Sequence, residues 1–255
     1  MHATFLGTSG YHPSEARHTT GLALPAANTL IDAGTGTFRL PAVMGAEVGD
    51  ARELDVFLSH AHLDHVSGLT YFIVWMEQKR FGRVRVFAEP EVHEAVDRHL
   101  FSERIFPVRI GYERHEMRPG DAATLLDGSR MTTRPQPHRG VTFGYRIQTA
   151  AGGSLCFCTD TTANPDDAAS VDFVRGCNVL IHECHFADSE ARFDEPTGHS
   201  SLTKVATLAK NAGVGRLILT HINPYYDPER PLDVESVRDV FGETVVAEDG
   251  MTVGF

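Results

Sequence analysis

The chain has 255 residues, is 42% hydrophobic and 22% charged, and carries a formal net charge of −11 at pH 7. That acidic balance leaves no basic footprint for nucleic acid, which argues against a large RNA or DNA partner. No run approaches the roughly 20 apolar residues that cross a bilayer. The strand-like opening Ala3-Thr4-Phe5-Leu6 lacks the charged and apolar regions of a secretory signal, so a cytoplasmic protein with no membrane partner is expected.

Short apolar strands alternate with helical stretches along the whole chain. Strands are predicted at Ala3–Leu6, Thr29–Asp32, Val56–Ser59, Val84–Ala88, Val141–Gln148, Ser154–Thr159, Val179–His182, Arg216–Thr220 and Thr244–Ala247. Helices are predicted at Val66–Lys79, Glu91–Leu100, Ser201–Ala212 and Val234–Phe241. The first helix carries Leu69, Phe72, Ile73 and Met76 at helical spacing, a core-facing stripe. In the third, Ser200 or Ser201 is placed to cap the N-terminus and Gly213 stands at the far end. No linker or repeat interrupts the pattern, so one α/β domain over residues 1–255 is expected. The four cysteines, Cys156, Cys158, Cys177 and Cys184, lack the two close pairs of a zinc knuckle and read as reduced core thiols.

The chemistry concentrates in His60-Ala61-His62-Leu63-Asp64-His65, directly after the apolar run Leu54-Asp55-Val56-Phe57-Leu58. Three imidazoles and a carboxylate in one turn suit a divalent metal. Three further ligand types stand at strand ends: His138 before the strand near Val141, Asp160 after Ser154–Thr159, and His221 after Arg216–Thr220. Side chains set on strand ends are held by the hydrogen-bond ladder, and these four positions are expected to converge at one sheet edge. Two cations about 4 Å apart would stabilise hydroxide at neutral pH and polarise a scissile bond.

The series His60-Ala61-His62-Leu63-Asp64-His65, His138, Asp160, His221 resembles the metallo-β-lactamase superfamily over nearly the whole chain. The resemblance implies a four-layer αββα sandwich and a binuclear hydrolase. It puts His60, His62 and His138 on one ion and Asp64, His65 and His221 on the other, with Asp160 bridging. The ions are expected to be Zn²⁺, although Mn²⁺ or Fe²⁺ would also be held.

Phe5-Leu6-Gly7-Thr8-Ser9-Gly10, Thr29-Leu30-Ile31-Asp32-Ala33-Gly34-Thr35-Gly36-Thr37, Leu180-Ile181-His182-Glu183-Cys184-His185-Phe186 and Gly198-His199-Ser200-Ser201 resemble the ribonuclease Z-like branch. They imply that His199, oriented by Glu183, assists the leaving group, and that Asp64 orients the hydroxide as well as ligating. That branch's nuclease carries a tRNA-clamping arm between the positions matching His138 and Asp160. Here only a short hairpin, Val141–Gln148 turning through Ala150-Ala151-Gly152-Gly153 into Ser154, fits the gap. The expectation is therefore a phosphodiesterase that cleaves a small or cyclic phosphodiester by a metal-bridging hydroxide. A ribonuclease Z-type RNA endonuclease and a lactone or thioester hydrolase are the alternatives. Arg17 and His18 are expected near a substrate phosphate, and Tyr225 or Tyr226 against a base. A homodimer fits the branch.

Overall fold

The computed structural model describes all 255 residues. Two seven-stranded sheets form its centre. The first runs β14 (Thr252–Gly254), β1 (His2–Gly7), β2 (Gly21–Leu24), β3 (Thr29–Ile31), β4 (Arg52–Phe57), β5 (Phe81–Ala88), β6 (Glu113–Glu116). The second runs β13 (Thr244–Val246), β12 (Arg216–Thr220), β11 (Val179–Glu183), β10 (Ser154–Cys158), β9 (Phe143–Gln148), β8 (Arg130–Pro135), β7 (Ala122–Thr124). Each sheet is half antiparallel and half parallel: β3 to β6 run parallel in the first, and β10 to β13 in the second.

Strand alternation builds the layers. In β10, Leu155 and Phe157 enter a core shared with Phe5, Leu22 and Phe57 of the first sheet, so these residues lie between the sheets. Cys156 and Cys158, on the opposite face, pack instead with Val205, Ala206 and Ala209 of the outer helix Leu202–Ala212. On the first sheet, Leu54, Val56 and Val86 pack with Leu69, Phe72 and Val96 of its covering helices. Helix, sheet, sheet and helix thus stack in the expected αββα order, because each strand has two apolar faces to bury. All four cysteines are buried and none is in a disulfide.

Several local expectations change. The helix predicted at Val66–Lys79 is broken into Leu63–Val66, a 3₁₀ stretch Ser67–Tyr71, and Phe72–Glu77. The cause is a stitch to the end of β3: Gly68 N–H donates to Ala33 O at 2.7 Å, and Ala33 N–H donates to His65 O at 2.7 Å. Those bonds divert groups that a continuous helix would use internally. Neither serine caps Leu202–Ala212. Ser201 Oγ donates to Asp194 and Ser200 Oγ to Thr161 O, while Asp188 Oδ1 accepts from Thr203 N–H at 2.8 Å. Gly213 does close that helix in the left-handed region at φ 60°. The stretch Val234–Phe241 keeps only a 3₁₀ turn, Val234–Val237.

Strands β2, β6, β7, β8 and β14 and the helix Ala168–Val174 were not expected. Of these, β6 and β7 are mostly exposed, so their sequences carry no apolar alternation. The parallel strands β3, β4, β10, β11 and β12 carry polar residues of the site at their C-terminal ends. Asp32, Asp160 and His221 lie within two residues of β3, β10 and β12, Ser59 and His60 follow β4 closely, and Glu183 is the last residue of β11. There the loop after β1 is pinned to the loop after β12. Ile222 N–H donates to Thr8 O at 2.9 Å, and Gly10 N–H donates to Ile222 O at 3.0 Å.

Candidate metal centre

The seven expected ligands meet at those strand ends in two groups sharing Asp160. His60, His62, His138 and Asp160 form one set, and Asp64, His65 and His221 the other, with the ligand atoms of each within 4.8 Å of one another. Asp160 divides its oxygens between them. Its Oδ2 lies 3.5 Å from His60 Nε2 and 3.6 Å from His138 Nε2. Its Oδ1 lies 3.2 Å from His65 Nε2 and 3.1 Å from His221 Nε2. Asp64 Oδ2 lies 3.2 Å from His221 Nε2 and 3.4 Å from His65 Nε2. The strand ends that present these groups leave the ordinary backbone regions: Asp32, Asp160 and His221 all have positive φ, at 57°, 49° and 56°. Such conformations cost energy and persist where the surroundings hold them.

Outer partners decide which ring nitrogens face inward. His138 Nδ1 lies 2.9 Å from Gly198 O, which can only accept, so Nδ1 carries the hydrogen and Nε2 presents a lone pair. His65 Nδ1 lies 2.9 Å from Asp32 Oδ2, with the same consequence. Asp32 also accepts from Ser59 N–H at 2.7 Å and Ser59 Oγ at 2.8 Å, and Ser59 Oγ is 3.0 Å from His60 Nδ1. Asp32, Ser59 and Gly198 were not singled out as site residues. The sequence signals for them were the Thr29–Thr37 stretch that contains Asp32 and the Gly198-His199-Ser200-Ser201 segment; Ser59 had none beyond its place before His60.

This arrangement fits cations. Ring nitrogens crowd one another: His138 Nε2 is 3.3 Å from His62 Nδ1, and His65 Nε2 is 3.3 Å from His221 Nε2. Burial lowers His65, but Asp160, Asp64 and Asp32 outweigh it and raise this imidazole well above the ordinary histidine value, the response of this site to positive charge. His60 Nε2, 3.5 Å from Asp160 Oδ2, is buried without a hydrogen-bond partner. Burial, then the neighbouring His60 and His138, pulls His62 down to about 4, so this imidazole is neutral at pH 7 and free to ligate. Asp160, although burial opposes its charge, is held well below the carboxylate range by His221, His65 and His60. Convergent acceptors with buried, ionised carboxylates are favourable only around positive charge.

Beside the cluster stands a second dyad. His199 Nδ1 donates to Glu183 Oε1 at 3.0 Å, and Glu183 is fully buried. The carboxylate also accepts from the N–H groups of Thr161, His185 and Ser200 at 3.1, 3.0 and 3.2 Å. Burial lowers His199, but Glu183, Asp160 and Asp64 outweigh it and raise the imidazole to about 9. His199 groups with Asp160 and His221. His185, which carried no site expectation of its own, stacks on His199 with ring centroids 4.8 Å apart at 26°. Burial and the adjacent His221 and His199 hold it down to about 4.

The expected substrate contacts divide. Arg17 is buried, and its guanidinium donates to Thr8 Oγ1 at 2.7 Å and to Ala247 O, so it braces the core instead of meeting a phosphate. Tyr226 is also committed inward: its hydroxyl accepts from Ala187 N–H at 3.0 Å and donates to Glu190. His18 packs edge-on against Phe38, with Nδ1 3.3 Å from Thr35 Oγ1, a neighbouring turn whose bonds do not reach the cluster. Tyr225 is 77% exposed and packs edge-on against His12. Flanking the first ligand set, a cleft of about 210 Å³ is lined by His60, His62, Glu91 and Arg139.

Residues 27–222 match the model of the beta-lactamase superfamily domain. The ribonuclease Z of Methanopyrus kandleri is 30% identical, with 98% of this chain and 96% of that protein covered. Among solved structures, the metallo-beta-lactamase fold protein YhfI from Bacillus subtilis superposes with a TM-score of 0.80 at 20% identity, covering 99% of each chain. A diphosphatase of the PhnP family superposes with a TM-score of 0.72 at 23% identity, covering 100% of this chain and 98% of that one. Fold, site chemistry and family match agree on the class, a metal-dependent hydrolase. The chain belongs to the metallo-β-lactamase superfamily. The expectation that a large nucleic acid is no partner finds no support, since an RNA-cleaving enzyme is among its relatives. No helix is long and apolar enough to cross a membrane.

Proposed function

We propose that this protein is a binuclear metal-dependent phosphodiesterase acting on a small or cyclic phosphodiester, built as one hydrolase unit over residues 1–255. His60, His62 and His138 would hold one divalent cation, and Asp64, His65 and His221 the other, with one oxygen of Asp160 toward each. Zinc suits this nitrogen-rich set, and Mn²⁺ or Fe²⁺ would also bind it. The cations supply Lewis acidity, activating water at neutral pH and neutralising charge on the phosphoryl oxygens.

The observation that carries the reading is the Glu183–His199 pair beside this cluster. With Nδ1–H given to Glu183, His199 directs Nε2 outward as an imidazolium able to donate to a departing alkoxide. A phosphodiester needs that donor because its leaving oxygen departs as a strong base. Three backbone N–H groups on the same carboxylate keep the dyad rigid, so little reorganisation is needed at the moment of cleavage. Asp64, whose Oδ2 accepts from Tyr11 N–H at 2.8 Å, would orient the attacking water.

A small substrate is favoured by the hairpin between His138 and Asp160, where β9 runs directly into β10 with Gln148 opposite Ser154. The Methanopyrus kandleri alignment spans 285 positions against 255 residues here, so at least 30 positions of that relative have no counterpart in this chain. The second reading, an RNA endonuclease, is favoured by that relative's name. Purified, metal-loaded protein should be assayed on bis(p-nitrophenyl) phosphate, cyclic nucleotides, a precursor tRNA and a lactone. Turnover of the first two supports the proposal. Efficient tRNA trimming would select the second reading, and turnover of the lactone alone would overturn both.

A further inference from the structure

Three aromatic rings stand in a row beside the second ligand set, reached through the Tyr11 N–H bond to Asp64. Tyr11 meets His12 edge-on with centroids 4.8 Å apart, and His12 meets Tyr225 edge-on at 5.1 Å. Tyr11 is 68% exposed and Tyr225 77%. Large aromatic rings left this bare forgo the stabilisation that burial would bring, so the fold does not explain them.

The row is built and held at a fixed place relative to the ligands. Tyr11 N–H donates to Asp64 Oδ2 at 2.8 Å, so its backbone touches the second ligand set directly. Tyr11 holds φ 66° there, a left-handed conformation rare for a bulky residue. His12 is fixed through both its ring and its carbonyl: Nδ1 lies 2.8 Å from Pro13 O, and Ser9 Oγ donates to His12 O at 2.8 Å. Tyr225 follows His221 by four residues, and Asn223 Oδ1 accepts its N–H at 3.1 Å. The pinning of Ile222 between Thr8 and Gly10 sets the two loops in register.

We propose that Tyr11, His12 and Tyr225 form a specificity platform for a flat heteroaromatic ring carried by the substrate, so that the preferred phosphodiester bears a nucleobase. This rests on the phosphodiesterase reading above and adds the group that the site recognises beyond the phosphate. A ring stacked on Tyr225 or Tyr11 needs no hydrogen bond to be held, because every base presents a π-face. The row would therefore tolerate different bases while rejecting substrates with none.

The test compares metal-loaded wild type, Tyr11→Ala, Tyr225→Ala and Tyr225→Phe on a nucleoside 2′,3′-cyclic phosphate and on its abasic analogue, methyl riboside 2′,3′-cyclic phosphate. The kcat/KM ratio of the two substrates should exceed ten in the wild type. It should fall on the order of ten-fold in each alanine variant, mainly through KM, and be retained in Tyr225→Phe. In parallel, adenosine 5′-monophosphate should shift the ring proton resonances of Tyr11 and Tyr225 in wild-type protein, a reading independent of turnover. Ring shifts without hydrolysis of either substrate would sink the phosphodiesterase reading and leave the platform standing. Hydrolysis with a ratio near one, unchanged in the variants and without ring shifts, would overturn the platform.

Discussion

The Nδ1 of His199 lies 3.0 Å from Oε1 of Glu183, a contact that joins a strand of the second sheet to the loop before its covering helix. Glu183 closes β11, while His199 precedes the helix Leu202–Ala212. Their union places a charged imidazole beside the two ligand sets, and its protonation is the most direct property to measure.

In metal-free protein His199 titrates at about 9, against an unperturbed value near 6.5. Burial opposes the shift, and Glu183, Asp160 and Asp64 produce it. A raised histidine contributes stability that is complete below about pH 6.5 and is lost as pH rises through about 9. Replacing Glu183→Gln removes the largest raising partner. The imidazole Cε1–H resonance of His199 should then titrate well below 9, and the stability loss between pH 6.5 and 9 should shrink. An unchanged midpoint would show that Glu183 does not hold this proton.

Metal content should follow the division of Asp160. Wild-type protein loaded and dialysed should hold about two ions per chain by elemental analysis. Asp160→Ala removes an oxygen from each set and should lower both occupancies. His62→Ala touches one set and should leave about one ion. Asp32→Ala frees the His65 ring without removing a ligand, and a loss of about 10- to 100-fold in affinity is expected. Equal losses in all three variants would contradict the two-set arrangement.

Gly10 packs so closely that a β-carbon there would run into the imidazole of His221. Gly10→Ala should therefore displace His221 and lower turnover and metal content, with the thermal midpoint of metal-free protein changed by only a few degrees. A variant with full metal content would show that the loop after β1 can yield.

Away from the site, Arg85 forms two bonds to Asp55, at 2.6 and 2.7 Å, and the Asp55 side chain is fully buried. Burial raises Asp55, and Arg85 counters it. Arg85→Met would leave a buried charge alone, at a cost of about 3–5 kcal/mol. Because the folded-state carboxyl would then titrate still higher above its unfolded value, the variant should regain stability as pH falls. The double variant Asp55→Leu, Arg85→Met should recover most of the loss at pH 7. Denaturant midpoints at pH 7 and pH 4.5 check both statements.

The amino-acid sequence by itself marked out the metal-ligating residue types and most of the central strands, and the resemblance it carries implied the layer order. His60 to His65 crowd ligand types into one turn, and His138, Asp160 and His221 each adjoin a strand. Local order therefore shows where such side chains can converge. The continuous apolar run Leu155-Cys156-Phe157-Cys158 likewise reads as a strand with core cysteines, and the structure buries both of its faces. Tertiary structure alone decided which polar residues face inward and which serve the site. Arg17 reads as a loop cation until Ala247, 230 residues later, accepts its hydrogen bond. Tyr226 reads as a pocket residue until Glu190 takes its hydroxyl. Asp32 gains its role only when β3 and β4 pair in parallel and bring it to His65. The aromatic row joins Tyr11 and His12 to Tyr225 across more than 200 residues of chain. Spacing along the chain reports neighbours within a turn or a strand, whereas hydrogen bonds between distant loops depend on how the two sheets stack.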